Sequence, residues 1–152
     1  MKLLLLAVGL IPLSMFAQQS GKANIQRVNP PGLSPPKGYT HAVVVSGGRT
    51  VYVAGQVPLD KEGKLVGAGD FGVQVRQTFE NLKSALAAAD ATLADVVKVT
   101  VLVTDASQID KFRQVRNEYF KTDPPASTFA EVKALFRSDV MIEMDAIAVA
   151  HQ

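Results

Sequence analysis

From Val96 to Val103 the chain reads Val-Val-Lys-Val-Thr-Val-Leu-Val, nearly all β-branched or apolar. A half-exposed strand would alternate apolar with polar residues, so this run predicts a central strand covered on both faces. The two-residue repeat places Val97, Val99, Val101 and Val103 together on one of those faces. Whatever this chain folds into must supply a layer above the strand and another below it.

The remaining segments supply some of that cover. His41 to Val45 and Thr50 to Ala54 are β-rich and flank Ser46-Gly47-Gly48-Arg49, which predicts a hairpin. Asp60-Lys61-Glu62-Gly63 predicts a second turn, and a short extra strand is expected near Leu65-Val66. Asp70 is placed to cap a helix whose buried stripe is Val75, Phe79, Leu82, Leu86 and Ala89. Asp105, with Gln108 three residues on, opens a second helix with Ile109, Phe112, Val115 and Tyr119 or Phe120 inward. Asp123-Pro124-Pro125 ends that helix, and a Pro-Pro-Ala-Ser turn feeds a short strand. The last strand, Val140 to Val149, sets Glu143 and Asp145 on the face opposite Ile142, Met144, Ala146 and Ala148.

The order β-β-α-β-α-β-β predicts an α+β domain with a mixed sheet of five to six strands and two helices on one face. Two helices cover one face only. Yet several strands carry apolar residues on both, Val51 and Val53 against Tyr52, and Ile142 and Met144 against Met141 and Ile147. The bare face is expected to be buried by another copy of the chain.

Before this domain, Lys2 precedes an apolar run from Leu3 to Leu13, then Ser14 and Ala17. The run is shorter than the roughly 20 residues a membrane span needs. Residues 1–17 are therefore read as a cleaved secretory signal, with a buried helix or an uncleaved anchor as the alternative, and the protein is expected to be periplasmic or secreted, with no membrane association after cleavage. Residues 18–37, with Pro30-Pro31 and Pro35-Pro36, are expected to be an extended lead-in with little regular structure, and the domain to occupy 38–152. Losing Lys2 takes the formal charge from +2 to +1, which argues against nucleic acid or anionic lipid as a partner. There is no cysteine, which excludes disulfides, thiolate nucleophiles and Cys-ligated metals. No phosphate loop, Gly-x-Ser-x-Gly elbow or His-Glu-x-x-His stretch is present, and His41 and His151 are isolated, so neither a metal nor another cofactor is expected.

In order along residues 38–150, "VYVAGQVP", "QTFENLKSAL", "DVVKVTVLVTD", "FRQVRNEYF", the Pro-Pro-Ala-Ser turn and "IEMDAIAV" resemble the reactive-intermediate deaminase family, also called Rid or YjgF-like. The resemblance implies a chorismate-mutase-like fold and a homotrimer with a central β-barrel, whose clefts between subunits take a small-molecule ligand. It implies hydrolysis of enamines or imines, with Glu143 matching the cleft glutamate that handles protons. Tyr39 matches the aromatic that lines the cleft, with a rim aromatic covering a neighbouring subunit as the alternative. His41 shares the Tyr39 strand face, with a plain surface residue as the alternative. Gly55 matches the glycine of a Ser-Gly-Gln stretch, where its amide binds ligand or it merely bends the strand. Asn117 matches an asparagine of the second helix, in a binding or structural role.

The departures are as informative. Relatives that hydrolyse imines have Pro-Ala-Arg-Ser at the turn, and the arginine holds the substrate carboxylate; here Ser127-Thr128 follow and offer only hydroxyls. By the same resemblance, Ala54 replaces a cleft serine, and Phe129 stands where many relatives have a small residue or cysteine. A shielded guanidinium–carboxylate bond contributes about 1.5–3 kcal/mol, so hydrolysis of amino-acid-derived imines is expected to be weak unless Arg49, Lys133 or Arg137 compensates. Two expectations follow: an exported hydrolase of small imines or enamines, or a non-catalytic trimer that binds a small ligand on the same scaffold. Near-neutral charge and the absence of a histidine pair argue against a ribonuclease.

Overall fold

The computed structural model describes residues 22–151, so the secretory segment expected over residues 1–17 lies outside the described residues. The described chain forms β1 (Asn24–Val28), β2 (Ala42–Ser46), β3 (Arg49–Gln56), α1 (Phe71–Ala87), β4 (Val96–Val103), α2 (Ile109–Tyr119), β5 (Ala126–Glu131) and β6 (Ile142–Ala150), with short 3-10 turns before β4 and α2. This is the α+β architecture expected, with both helices packed against a mixed sheet.

The main sheet has four strands in the order β3-β6-β4-β5. Strand β4 runs antiparallel to β6 and parallel to β5, and is central as its apolar run requires. The other two strands form a separate sheet, β1 antiparallel to β2 from Asn24↔Ser46 to Val28↔Ala42. Two expectations are corrected here. The lead-in is not without regular structure, because it contributes β1. And β2 does not form a hairpin with β3: the Gly47-Gly48 pair, both at positive φ, carries the chain from one sheet to the other. Gly48 is needed on steric grounds too, since a Cβ there would sit 2.6 Å from Val149 Cγ1 and 2.7 Å from the Ala23 methyl. The extra strand near Leu65 reduces to one antiparallel bridge, Leu59↔Leu65.

The core lies between the main sheet and the helices. Val75, Phe79, Leu82 and Leu86 of α1 are fully buried, and Asp70 caps that helix by accepting from the Val73 amide at 3.1 Å. Phe112 and Val115 of α2 join them, with the Phe79 ring stacked on Tyr119 at 4.4 Å. From the sheet come Ile142, Met144, Ala146 and Ala148 of β6, as the alternation predicts. In β4 the face is Val96, Val99, Val101 and Val103; Val97 is not on it. A register shift between Val96 and Lys98 inverts the alternation there, and Val97 turns to the opposite side with Val149 and Ala23. The small β1-β2 sheet thus covers one end of the second face through Ile25, Val43 and Val45. The rest of that face, which carries Tyr52, Glu143 and Asp145, is left open, and Tyr52 is 79% exposed.

Candidate functional site

Glu143 stands on the open face of β6, opposite Leu102 of β4, between the buried Ile142 and Met144. Its neighbour across the sheet is Gly55. Strand β3 bulges there, its register jumping from Val53↔Ala146 to Gln56↔Met144, so that Ala54 and Gly55 together lie opposite Asp145. The bulge brings the bare Cα of Gly55 against the Glu143 carboxylate, leaving no space for a side chain. Asp145 pairs across β4 with Thr100 and lies close to Lys98. Burial pushes the Lys98 ammonium below its ordinary pKa, and the Asp145 charge opposes that shift. Lys98 Nζ donates to the Thr128 hydroxyl at 2.7 Å and to the Val99 carbonyl at 2.8 Å, which ties Thr128 to the open face.

Tyr39 and Ser127 lie on the other side of the sheet. Thr40 is buried and bridges Ala126 in parallel, its amide donating to the Pro125 carbonyl at 3.0 Å and its hydroxyl to the Pro124 carbonyl. That docking sets Tyr39 beside the start of β5. Alternation along β5 turns Ser127 and Phe129 toward α2, with the Phe129 ring 5.3 Å from Phe112, while Thr128 points the opposite way. Tyr39, Ser127 and Phe129 thereby line a cavity of about 180 Å³, closed on the α2 side by Phe112, Arg113 and Arg116. His41 stacks edge-on against Tyr39 at 5.0 Å and its Nε2–H donates to the Ser34 carbonyl at 2.8 Å, so it braces the lead-in.

The predicted residues therefore fall into two groups on opposite faces of one sheet, Gly55 with Glu143 and Tyr39 with Ser127. Strand β4 separates their strands β5 and β6. One copy of the chain does not bring the groups together. Asn117 is exposed and does not enter the cavity; its side-chain oxygen accepts from Arg116. Nor do the three cations proposed from the sequence reach Ser127. Arg49 donates to the Ala89 carbonyl at 2.6 Å, Arg137 pairs with Asp139 at 2.6 Å, and Lys133 is exposed and does not line the cavity. Arg116, buried and lining the cavity, is the residue that sequence reasoning did not single out. A cue was present, since Arg116 follows Phe112 by four and precedes Tyr119 by three, on the stripe that faces inward.

The model of the family described as Endoribonuclease L-PSP matches residues 32–150. A RutC family protein of Pyrococcus abyssi is 43% identical over 110 residues, 72% of this chain and 84% of the relative. The human 2-iminobutanoate/2-iminopropanoate deaminase is 31% identical over 125 residues, 82% of this chain and 88% of that protein. Among solved structures, a Rid family protein, YyfB of Yersinia pestis, superposes with a TM-score of 0.77 at 37% identity, covering 83% of this chain and 98% of that one. The chain belongs to the Rid family. Its Rid fold is closed by the β3 bulge and by the Thr40 bridge, the two features that place Gly55 and Tyr39. As the second residue of β5, this Rid protein carries Ser127.

Proposed function

We propose that this chain is an exported hydrolase of small imines or enamines, and that its active clefts form between copies of the chain, in a homotrimer. The observation that carries this is the divided site. Gly55 and Glu143 open onto the uncovered sheet face, whereas Tyr39 and Ser127 line a cavity on the far side of the same sheet. A second copy seated on the open face, with its β5 edge at Glu143, completes both halves. The open face invites such a partner, since Tyr52 is exposed there. The name of the human relative supports the reaction class.

In that cleft Glu143 takes a proton from water as the oxygen adds to the C=N carbon, and returns it to nitrogen. The carbinolamine then loses ammonia as its C–N bond breaks and the hydroxyl proton leaves, so one imine and one water give one carbonyl compound and one ammonia. Tyr39 supplies a flat wall and Thr128, held by Lys98, a hydroxyl near the seam. The test is ammonia release from freshly generated imines, which Glu143→Gln should abolish. Mixed assemblies of Glu143→Gln with a cavity variant such as Tyr39→Ala should recover part of the activity, because each copy supplies what the other lacks. No difference between wild type and Glu143→Gln across a substrate panel sinks the hydrolase. Export rests on residues 1–17, and is tested by the mature N-terminus of the secreted protein.

One observation favours the second reading, a non-catalytic binding trimer: the Phe129 ring, packed on Phe112 at 5.3 Å, takes up space in the cavity beside Ser127. Saturable ligand binding without ammonia release would decide for it.

A further inference from the structure

Arg116 is a buried cation without an acid beside it. It is 9% exposed, and among the described residues no carboxylate forms an ion pair with its guanidinium. Nε and Nη2 donate to the Asn117 side-chain oxygen at 3.3 and 2.9 Å, and Nη1 reaches the Lys37 carbonyl only at 3.5 Å. A guanidinium carries five N–H donors, so some remain for a ligand. Burying an unpaired charge is costly, and the nearby Arg113 adds like-charge repulsion. Burial first, and Arg113 second, hold Arg116 below its ordinary pKa.

The surroundings are shaped to this head group. Gly38, at φ 78°, leaves bare backbone where the guanidinium lies, and a Cβ on it would fall 1.8 Å from Nη2. The Asn117 oxygen fixes the plane of the fork. The same cavity contains Ser127, with Tyr39 and Phe112 as aromatic walls. Arg113 is already paired with Asp110 at 3.0 Å, which leaves Arg116 as the buried free fork.

We propose that Arg116, on α2, seats the carboxylate of a small planar ligand in this cavity, taking over the charge that Ser127 cannot supply from β5. Arg116 is thus the specificity-determining residue, and it selects ligands with a carboxylate next to the C=N or C=O carbon. The planar fork and flat walls suit a carboxylate better than a tetrahedral anion. The inference rests on the cavity being the substrate pocket of the proposed hydrolase, but it concerns binding and not turnover.

The test is calorimetric titration of the full-length protein with 2-oxobutanoate, butanone and inorganic phosphate. Wild type should prefer 2-oxobutanoate to butanone by roughly tenfold or more, and Arg116→Met should erase that preference without weakening butanone. Glu143→Gln should keep the preference while losing ammonia release. A preference that survives in Arg116→Met, its absence in wild type, or tighter binding of phosphate than of 2-oxobutanoate overturns the proposal. Preference without turnover in wild type leaves the anion site standing and removes the hydrolase. If Arg116→Met does not fold, the ¹⁵N signal of Arg116 Nε–H in wild type decides: 2-oxobutanoate must shift it and butanone must not, and the reverse overturns the assignment.

Discussion

A Cβ placed on Gly55 would lie 2.0 Å from Oε1 of Glu143 and 2.8 Å from its carboxyl carbon. The glycine is therefore the seat of the acid, and the bulge in β3 is what brings the two together. Because the clash falls on the end of a flexible side chain, Gly55→Ala should move the carboxylate and spare the fold. We expect ammonia release to drop to the level of Glu143→Gln, with unfolding free energy changed by less than about 1 kcal/mol. Wild-type activity in Gly55→Ala would break this link.

Gln74 organises the entry to β6. Fully buried, it donates from Nε2 to the carbonyls of Gly67 (3.2 Å) and Asp139 (2.9 Å), and its Oε1 accepts from the Met141 amide at 2.8 Å. Gln74→Ala leaves these backbone groups unpaired and should cost about 2–3 kcal/mol. Urea denaturation should show a lower midpoint at an unchanged slope. A loss below about 1 kcal/mol would mean that water replaces the amide.

Restoring the family arginine at position 127 should not restore a family-like site. Ser127→Arg adds a cation to a cavity that already contains Arg113 and Arg116. We expect the single variant to lose about 1 kcal/mol of stability, and the double variant with Arg116→Asn to regain part of it. Strict additivity between the two substitutions would show that the guanidinium groups do not share the space.

Tyr119 gives the fold an alkaline signature. Burial first, then the Glu80 and Glu118 carboxylates, raise its phenol from the ordinary value of 10.0 to about 12. The folded protein holds this proton more tightly than the unfolded chain, so the contribution to stability is complete below about pH 10. It is lost as the pH rises through about 12. Ultraviolet titration should resolve a late phenol that disappears in Tyr119→Phe; if the phenol instead ionises at its ordinary value, Tyr119 is solvated in solution.

Much of the domain was legible in the sequence because it depends on local periodicity. The β4 run, the Asp70 cap, the α1 stripe and the alternation that separates Glu143 from Met144 are all read at two- to four-residue spacing. What escaped depends on long-range pairing. Gly47-Gly48 has the composition of a hairpin turn, but β3 pairs with β6 from the far end of the chain. Strand β1 has no strong local pattern and exists because β2 and Val97 receive it. Val97 itself changes face at a bulge that no alternation rule foresees. In the site, Gly55 meets Glu143 through a bulge in β3 that no local spacing announces, whereas attention to β5 for a missing charge hid the arginine on α2. Its neighbour Asn117 was singled out instead, and its part is to hold that arginine.

Thr40 has its partners at Pro124, Pro125 and Ala126, more than half the chain away. During synthesis, then, Tyr39 has only its local neighbour His41 to lean on until residues 124–126 have emerged. Long-range closures of this kind form late, so an incomplete chain would have helices and strands but no pocket.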